Sequence, residues 1–168
     1  MPETVRHWAR WLALSAGVLV ADLATKTWVT SAFSTGDVVT VTPFFNLVLV
    51  YNTGAAFSFL AGAGGWQRWF FMAVSALVSV AIVWLLRRHS GDRLMACALA
   101  LVLGGALGNL YDRATLGRVI DFIQLHAAGY YWPAFNVADS AISVGVVLLV
   151  WDSIRDGVSA RNEKREQS

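Results

Sequence analysis

The stretch that decides the fold is an apolar helix that begins with a carboxylate: Asp139-Ser-Ala-Ile-Ser-Val-Gly-Val-Val-Leu-Leu-Val-Trp151. With its flanks, this run is typical of a helix that spans a membrane. A charge inside a bilayer costs about 2.5 to 3.5 kcal/mol even on the scales that give the smallest penalty. Asp139 therefore needs a reason to lie at the head of the run, and the rest of the chain supplies candidates.

The composition of the whole chain is that of a membrane protein. Of its 168 residues, 57% are hydrophobic and 14% are charged, whereas soluble domains carry roughly 25% charged residues. The mean hydropathy is +0.54. Runs long enough to cross about 30 Å of hydrocarbon occur near residues 11–30, 67–86, 94–111 and 138–154. We therefore predict a single membrane domain over residues 1–168, all-α in class, with four transmembrane helices.

A further apolar run, residues 38–60, is not predicted to be a fifth span. It contains Pro43, Asn46 and Gly54, and its Val-Val-Thr-Val-Thr and Asn-Leu-Val-Leu-Val-Tyr pieces are rich in β-forming residues. We predict short strands at the membrane surface, packed on each other or on the helix ends, because open sheet edges do not survive in lipid. The longer segment 38–66, with its glycines and Trp66, is expected to cover a cleft as a mobile lid.

The basic residues predict one orientation. Nine of the thirteen lysines and arginines lie before the first run, between the second and third, or after the fourth. By the positive-inside rule, both termini, the loop 87–93 and the charged tail 155–168 are cytoplasmic. The longer connections, 31–66 and 112–137, then lie on the outer side. We expect the tail from Arg155 to Ser168 to be frayed.

Several classes of function find no support in the sequence. The basic residues form short clusters beside apolar runs, so we predict no binding of nucleic acid. Cys97 is the only cysteine, and His7, His89 and His126 lie outside the apolar runs. No His-Glu-x-x-His, Gly-x-Ser-x-Gly or phosphate-loop motif occurs. We therefore predict no metal and no cofactor.

The costly polar residues all fall at the outer end of the predicted bundle. Asp22 and Lys26 are late in the first helix at the i,i+4 spacing of an ion pair, which could simply hold helix ends together. Gly104-Gly-Ala-Leu-Gly108 is predicted to be a close-packing face for another helix. After it, Asn109 and Arg113 are again spaced i,i+4, so both can face one cleft.

Two further acids are predicted to form the reactive centre. Asp121 lies in the outer loop between the third and fourth helices, and Asp139 lies eighteen positions later, both among apolar neighbours. Each alone could be ordinary, Asp121 as a loop acid and Asp139 as a first-turn acid favoured by the helix dipole. Together, two carboxyls close in a low-dielectric site share one proton. One can then activate a water while the other donates to a carbonyl oxygen, as in aspartic peptidases.

Three alternatives remain open on the residues alone. A small transporter could use the acids and Lys26 as a proton relay, although a relay predicts acids spread through the bilayer depth. A serine–lysine peptidase could pair Lys26 with Ser31 or Ser34. A non-catalytic assembly protein could use the acids only as structural pairs.

The polar motifs resemble, in order, those of the bacterial lipoprotein signal peptidases, also called signal peptidase II or prolipoprotein signal peptidase. They are Asp22-Leu-Ala-Thr-Lys26, Tyr51-Asn-Thr-Gly-Ala-Ala-Phe-Ser58, Gly104-Gly-Ala-Leu-Gly-Asn-Leu-Tyr-Asp-Arg113, Gly117-Arg-Val-Ile-Asp-Phe122 and Phe135-Asn-Val-Ala-Asp139. The resemblance covers nearly the whole chain. It implies a four-helix aspartic endopeptidase of the inner membrane, with a small periplasmic β-sheet cradle and a periplasmic helix.

The resemblance also implies a substrate and a set of site residues. The substrate is a prolipoprotein whose cysteine already carries diacylglycerol, and the enzyme cuts the signal peptide off just before that cysteine. Asp121 and Asp139 match the catalytic dyad. The residues that match the family's active-site lining or support are Asn52, Gly54, Asn109, Arg113, Asn136, Asp22 and Lys26. We expect a monomer surrounded by membrane lipid.

Overall fold

The computed structural model describes residues 3–54 and 64–166. In these residues the helices are α1 (Glu3–Ala32), α2 (Trp66–Arg88), α3 (Arg93–Thr115) and α4 (Val137–Glu166). The strands are β1 (Val38–Thr42), β2 (Phe45–Asn52), β3 (Val119–Ala127) and β4 (Tyr130–Tyr131). Each helix contains a stretch long and apolar enough to cross a membrane. The predicted class is confirmed: the protein is a mainly helical, multi-pass membrane protein with a small antiparallel sheet.

Helix α3 is the centre of the bundle. In its most apolar stretch 61% of residues are buried, against 17% to 22% in the other three helices, whose apolar faces are therefore left for lipid. α3 packs on each of the other helices. The glycines of α3 allow its backbone to approach α1 and α4 closely. A Cβ on Gly104 would lie 2.6 Å from the Ser15 carbonyl oxygen of α1, and one on Gly105 would overlap the Ala138 carbonyl of α4. The predicted role of this glycine-rich face in close packing is confirmed.

The four strands form one antiparallel sheet in the order β1-β2-β3-β4. One face packs on the end of α1 through a cluster of Val29, Leu49, Ile120 and Phe122. The β2–β3 register shifts between Leu47 and Val50, as in a β-bulge, and beyond the shift Val50 faces Asp121. Because side chains alternate along a strand, Asn52 is then the diagonal neighbour of Asp121 on the same face. The sheet therefore brings an amide next to an acid.

Three expectations need correction. Asp121 does not lie in a loop but in the third position of β3, a nine-residue strand. Its neighbours are apolar on both sides because the start of this strand is buried on both faces, a pattern without the alternation that marks a half-exposed strand. α3 continues past residue 111 to Thr115, so Arg113 belongs to its last turn. The charged tail, expected to be frayed, is helical in its described part, since α4 continues to Glu166.

Two other expectations concern the outer segments. In the described parts of the connections 31–66 and 112–137, the regular elements between the transmembrane helices are strands, so the expected periplasmic helix is not found there. Much of the expected lid falls on residues 55–63, which lie outside the described residues.

Candidate active site

The polar residues gather where α1 and α3 end, where α4 begins and where β3 passes. Here Asp22, Lys26, Asp112 and Asp121 are buried, each with no more than 2% of the residue's surface exposed. Burial of four charged groups is expensive unless each is paired or hydrogen-bonded. The contacts of this cluster therefore account for its existence.

Asp139 is held by the first turn of α4. The Asp139 backbone N–H donates to Asn136 Oδ1 at 2.9 Å, and the Asn136 backbone N–H donates back to Asp139 Oδ2 at 3.3 Å. This reciprocal arrangement is a capping box in which the acid lies three residues after the N-cap. The other oxygen, Asp139 Oδ1, accepts a hydrogen bond of 2.8 Å from Asn109 Nδ2. Both oxygens of the carboxyl are thus fixed by neighbouring amides.

Asp121 is held in a similar way from two sides. Its Oδ1 accepts from Asn136 Nδ2 at 2.8 Å, and its Oδ2 accepts from Asn52 Nδ2 at 3.1 Å. Burial and then the negative charge of Asp139 raise the pKa of Asp121 to about 7. A carboxyl with this pKa is partly protonated at neutral pH. Asn136 contacts both acids, Asp121 through its side chain and Asp139 through its backbone.

The orientation of all three asparagine amides follows from their hydrogen bonds. In each, the oxygen accepts from a group that can only donate: Asn52 Oδ1 from the Gly54 N–H, Asn136 Oδ1 from the Asp139 N–H, and Asn109 Oδ1 from Lys26 Nζ. The amide nitrogen must then point the other way. Each NH2 group consequently faces a carboxyl oxygen, and its hydrogen bond stabilises the negative charge of the pair formed by Asp121 and Asp139.

A cleft of about 450 Å³ opens beside these residues. Its polar end is lined by Asn52, Asn109, Arg113 and Asp139, and its other walls come from Val119 of β3, from residues 132–135 and from Ser140, Ile142, Ser143 and Val144 of α4. Arg113 is tied down by a 2.7 Å hydrogen bond to the Gly54 carbonyl oxygen and lies over the ring of Phe71. The cleft therefore extends from Asp139, whose carboxyl accepts hydrogen bonds from amides, to the apolar surface of α4.

Lys26 lies behind the cleft, in the predicted ion pair with Asp22, and also contacts Asp112. Its Nζ is 2.6 Å from Asp22 Oδ2 and 2.8 Å from Asp112 Oδ2. A serine–lysine site does not fit this arrangement, because the ammonium group is taken up by two carboxylates and an amide. Ser31, one of the candidate nucleophiles, is exposed and donates to the Trp28 carbonyl oxygen.

The structure brings together all nine residues named from the sequence, in two groups. Asp121, Asp139 and the three asparagines form one network, which Arg113 and the Gly54 backbone border; of this network Asp139, Asn52 and Asn109 line the cleft. Asp22 and Lys26 form a second group, which does not line the cleft. Within the described residues no group of three His, Cys, Asp or Glu side chains is placed to hold a metal ion.

Asp112 was predicted to lie at this end of the bundle with Asn109 and Arg113, but it is the residue of this cluster to which the sequence analysis assigned no role in the site. It lies in the last turn of α3, where the helix dipole disfavours a carboxylate. An acid at that position needs a buried cation or donors to compensate. That conflict is a signal that the sequence carries and that could have identified it.

Comparisons with known proteins identify a family for the whole chain. The family described as signal peptidase (SPase) II matches residues 14–155. The chain is 54% identical over 145 residues to the lipoprotein signal peptidase of Ralstonia nicotianae, covering 86% of this chain and 84% of that protein. It is 52% identical over 153 residues to the one from Burkholderia mallei, covering 91% and 92%.

A solved structure shows the same fold. It is a bacterial membrane enzyme determined by the in meso method at 2.3 Å resolution, with a TM-score of 0.81 and 31% identity, covering 89% of this chain and 90% of that one. With four membrane helices, a matching fold and a family match over most of its length, the chain belongs to the signal peptidase II family of aspartic endopeptidases.

Proposed function

We propose that Asp121 and Asp139 are the catalytic dyad with which this enzyme removes signal peptides from prolipoproteins. The substrate carries diacylglycerol on a cysteine, and the bond cut is the one just before that cysteine. The observation that carries the proposal is the position of Asn136, which donates to Asp121 from its side chain and to Asp139 from its backbone. A buried acid, Asp121, and a partly buried acid, Asp139, which lie on different elements, are thereby joined through one residue at the edge of a cleft.

The chemistry needs one proton shared between the two acids. The raised pKa of Asp121, about 7, supports Asp121 as the acid that carries this proton. Asp139, which lines the cleft, takes a proton from a water molecule, and the water oxygen attacks the peptide carbonyl carbon. Asp121 donates its proton to the carbonyl oxygen. Collapse of the tetrahedral intermediate breaks the C–N bond as Asp139 gives its proton to the leaving amine and Asp121 takes back a proton from a hydroxyl of the intermediate, which restores both acids.

The remaining predicted residues orient this pair. Asn52, Asn109 and Asn136 present their NH2 groups to the carboxyl oxygens and limit the rotation of both acids. Arg113 lines the cleft and is anchored on the Gly54 carbonyl, so it offers a fixed positive charge near the reacting carbonyl. Asp22 and Lys26 support the site from behind.

The shape of the cleft supports a lipid-modified substrate. Away from the acids it is lined by Ile142 and Val144 of α4 and by Trp132 and Phe135. Val144 is half-exposed on a membrane-spanning helix, so this end of the cleft meets the hydrocarbon. Diacylglycerol can remain in the bilayer while the peptide bond beside it reaches Asp139. The enzyme acts as a monomer among membrane lipids.

The placement of basic residues supports a location and an orientation. We place the protein in the bacterial inner membrane, with both termini and the loop 87–93 in the cytoplasm. The dyad then lies near the periplasmic face, where water reaches it and where signal peptides are cut after export.

Substitution of each acid tests the proposal. Asp121→Asn and Asp139→Asn keep the volume and much of the hydrogen bonding of the side chains but cannot share a proton as acid and base. We expect each purified variant to fold and to cleave a diacylated prolipoprotein at least about 100-fold more slowly than the wild type. Cleavage would be followed by gel shift, and the cut site identified by mass spectrometry.

The matched control is Asp152→Asn, which changes a buried acid of α4 that pairs with Arg155 and does not line the cleft. It should cleave at nearly the wild-type rate. Near-normal cleavage by both dyad variants would refute the proposal. So would a result in which substitution of Lys26 abolishes cleavage while substitution of either aspartate does not slow it.

A further inference from the structure

A buried cluster of three charged side chains stands behind the catalytic pair without touching the cleft. Lys26 Nζ lies between Asp22 Oδ2 at 2.6 Å and Asp112 Oδ2 at 2.8 Å. None of the three residues lines the cleft. Burying an ammonium and two carboxylates costs several kcal/mol per ion before pairing, so apolar residues could hold the helix ends together at less cost. The cluster therefore calls for a role beyond helix packing.

Each carboxylate of the cluster also binds one backbone N–H, and the two N–H groups occupy equivalent positions. Asp22 Oδ1 accepts from the Ala138 N–H at 2.9 Å, and Ala138 immediately precedes Asp139. Asp112 Oδ2 accepts from the Ile120 N–H at 3.1 Å, and Ile120 immediately precedes Asp121. The backbone next to each acid is thus held by a carboxylate, and Lys26 joins those two carboxylates to each other.

The geometry leaves this cluster little freedom. A Cβ on Gly108 would lie 2.5 Å from Asp22 Oδ2, so α3 is closely packed against the carboxylate. The Lys26 ammonium also donates to Asn109 Oδ1 at 3.2 Å, and the same asparagine donates to Asp139. The position of Lys26 is therefore coupled to both acids through short hydrogen-bonded paths.

The two carboxylates, Asp22 and Asp112, differ in their interaction with the nearest helix dipole. Asp22 contacts the N-terminus of α4, where the helix dipole favours a negative charge, so its position has an ordinary structural explanation. Asp112 lies in the last turn of its own helix, where the dipole opposes it. Helix stability does not explain Asp112, whereas its contact with the strand that carries Asp121 does.

We infer that Asp112, with Lys26 and Asp22, is a positioning residue that sets the placement of Asp121 relative to Asp139. This inference rests on the proposed roles of those two aspartates. Asp121 is on a strand of the sheet and Asp139 is on a helix of the bundle, and Lys26 links the two elements through one carboxylate on each side. Misplacement of reacting groups by about 1 Å can cost on the order of 100-fold in rate.

The consequence for kinetics is specific. Loss of the Asp112 carboxylate frees β3 at Ile120 and lets Asp121 shift, which affects the transition state in which both acids act. Substrate binding depends on the cleft, to which Asp112 contributes nothing. We expect Asp112→Ala to lower kcat by about 10- to 100-fold and to leave KM within about threefold.

A conservative variant separates positioning from folding. The amide oxygen of Asp112→Asn can still accept the Ile120 N–H, although it loses the charge that pairs with Lys26. We expect it to recover part of the kcat lost in Asp112→Ala, with the same KM. Both variants would be measured as purified full-length protein, corrected for the folded fraction by thermal unfolding, beside Asp152→Asn, which alters a buried ion-paired acid elsewhere.

The outcomes distinguish this inference from the proposed function. If Asp121→Asn and Asp139→Asn abolish cleavage while both Asp112 variants match Asp152→Asn in kcat, the positioning role is wrong and the dyad stands. A raised KM with unchanged kcat would also overturn the positioning role. If the dyad variants cleave normally, the proposed function itself fails.

Discussion

At the scale of single residues, the site depends on asparagines as much as on aspartates. Asn52, Asn109 and Asn136 each have a donor on the amide oxygen and a carboxyl oxygen near the amide nitrogen. Donation to a carboxylate stabilises its charged form, whereas burial destabilises it. For Asp121 the effect of burial is larger, because its pKa is raised in spite of two such hydrogen bonds. The residue is poised to hold or release a proton near neutral pH.

The raised pKa of Asp121 predicts a pH dependence of catalysis. Asp121 is protonated below about pH 7 and loses its proton above it. If it supplies the shared proton, kcat/KM falls as the pH rises through this range, with an apparent pKa near 7 that belongs to the coupled pair. Initial rates from pH 5.5 to 9 with a diacylated substrate would show the decline.

The control for this profile is Asp152→Asn, which should give the same apparent pKa as the wild type. A rate that rises steadily from pH 6 to pH 9 would contradict the assignment of the proton to Asp121.

At the scale of elements, small residues in α3 and α4 let the helices approach closely enough for the polar network to form. A Cβ on Gly145 of α4 would lie 2.7 Å from the Ala98 carbonyl oxygen and 2.6 Å from Val102 Cγ2 of α3. A side chain at position 145 would therefore force the two helices apart. By contrast, a Cβ on Gly17 of α1 would meet nothing within 4 Å.

These two glycines give a matched prediction for stability. Gly145→Ala should destabilise the protein by about 1 to 3 kcal/mol, because it overpacks a helix contact. Gly17→Ala should be neutral or should stabilise by up to about 1 kcal/mol, since alanine is the better helix former. Thermal unfolding of both variants in the same detergent is the measurement. Equal shifts for the two would show that close packing of α3 and α4 does not decide stability.

The elements were predictable from the sequence where their patterns are strong. Long apolar runs identified four helices, and β-forming pieces interrupted by polar residues identified β1 and β2. β3 was not predicted, because the start of this strand, which includes Asp121, is buried on both faces and shows no alternation of buried and exposed residues. The register shift in β2 that brings Asn52 to Asp121 also leaves no local signature.

The candidate site was predictable to a similar degree. Once the helices alternate in direction, the polar ends of the first, third and fourth helices must meet, so the set of residues could be found. The bonds within the set could not, because hydrogen bonds such as that from Ile120 to Asp112 depend on tertiary placement. The contact of Asp112 with β3 was not predicted for that reason, although its place in the last turn of α3 was a signal that it needs a buried partner.

At the scale of the whole molecule, the proposed orientation places the two polar ends of the helix bundle on opposite sides of the membrane. The sheet with its exposed strand β1 lies at the dyad end, and the turn between α2 and α3 lies at the other. Positive charge clusters near the second. The reactive end is therefore predicted to face the periplasm.

Cysteine labelling in intact cells tests this orientation. In a Cys97→Ser background, Thr40→Cys places a thiol on exposed β1, and Gly91→Cys places one in the exposed turn, where no neighbour lies within 4 Å. With the outer membrane permeabilised, an impermeant maleimide should label Thr40→Cys at once and Gly91→Cys only after the inner membrane is opened. The reverse pattern would show that the orientation is inverted.

The central claim is that Asp121 and Asp139 act as one catalytic unit. The most direct test compares kcat for cleavage of a diacylated prolipoprotein by the wild type, Asp121→Asn, Asp139→Asn and the double variant. Because groups that act together are strongly non-additive, we predict that each single substitution loses nearly as much kcat as the double. A double variant whose loss equals the product of two modest single losses would contradict the claim.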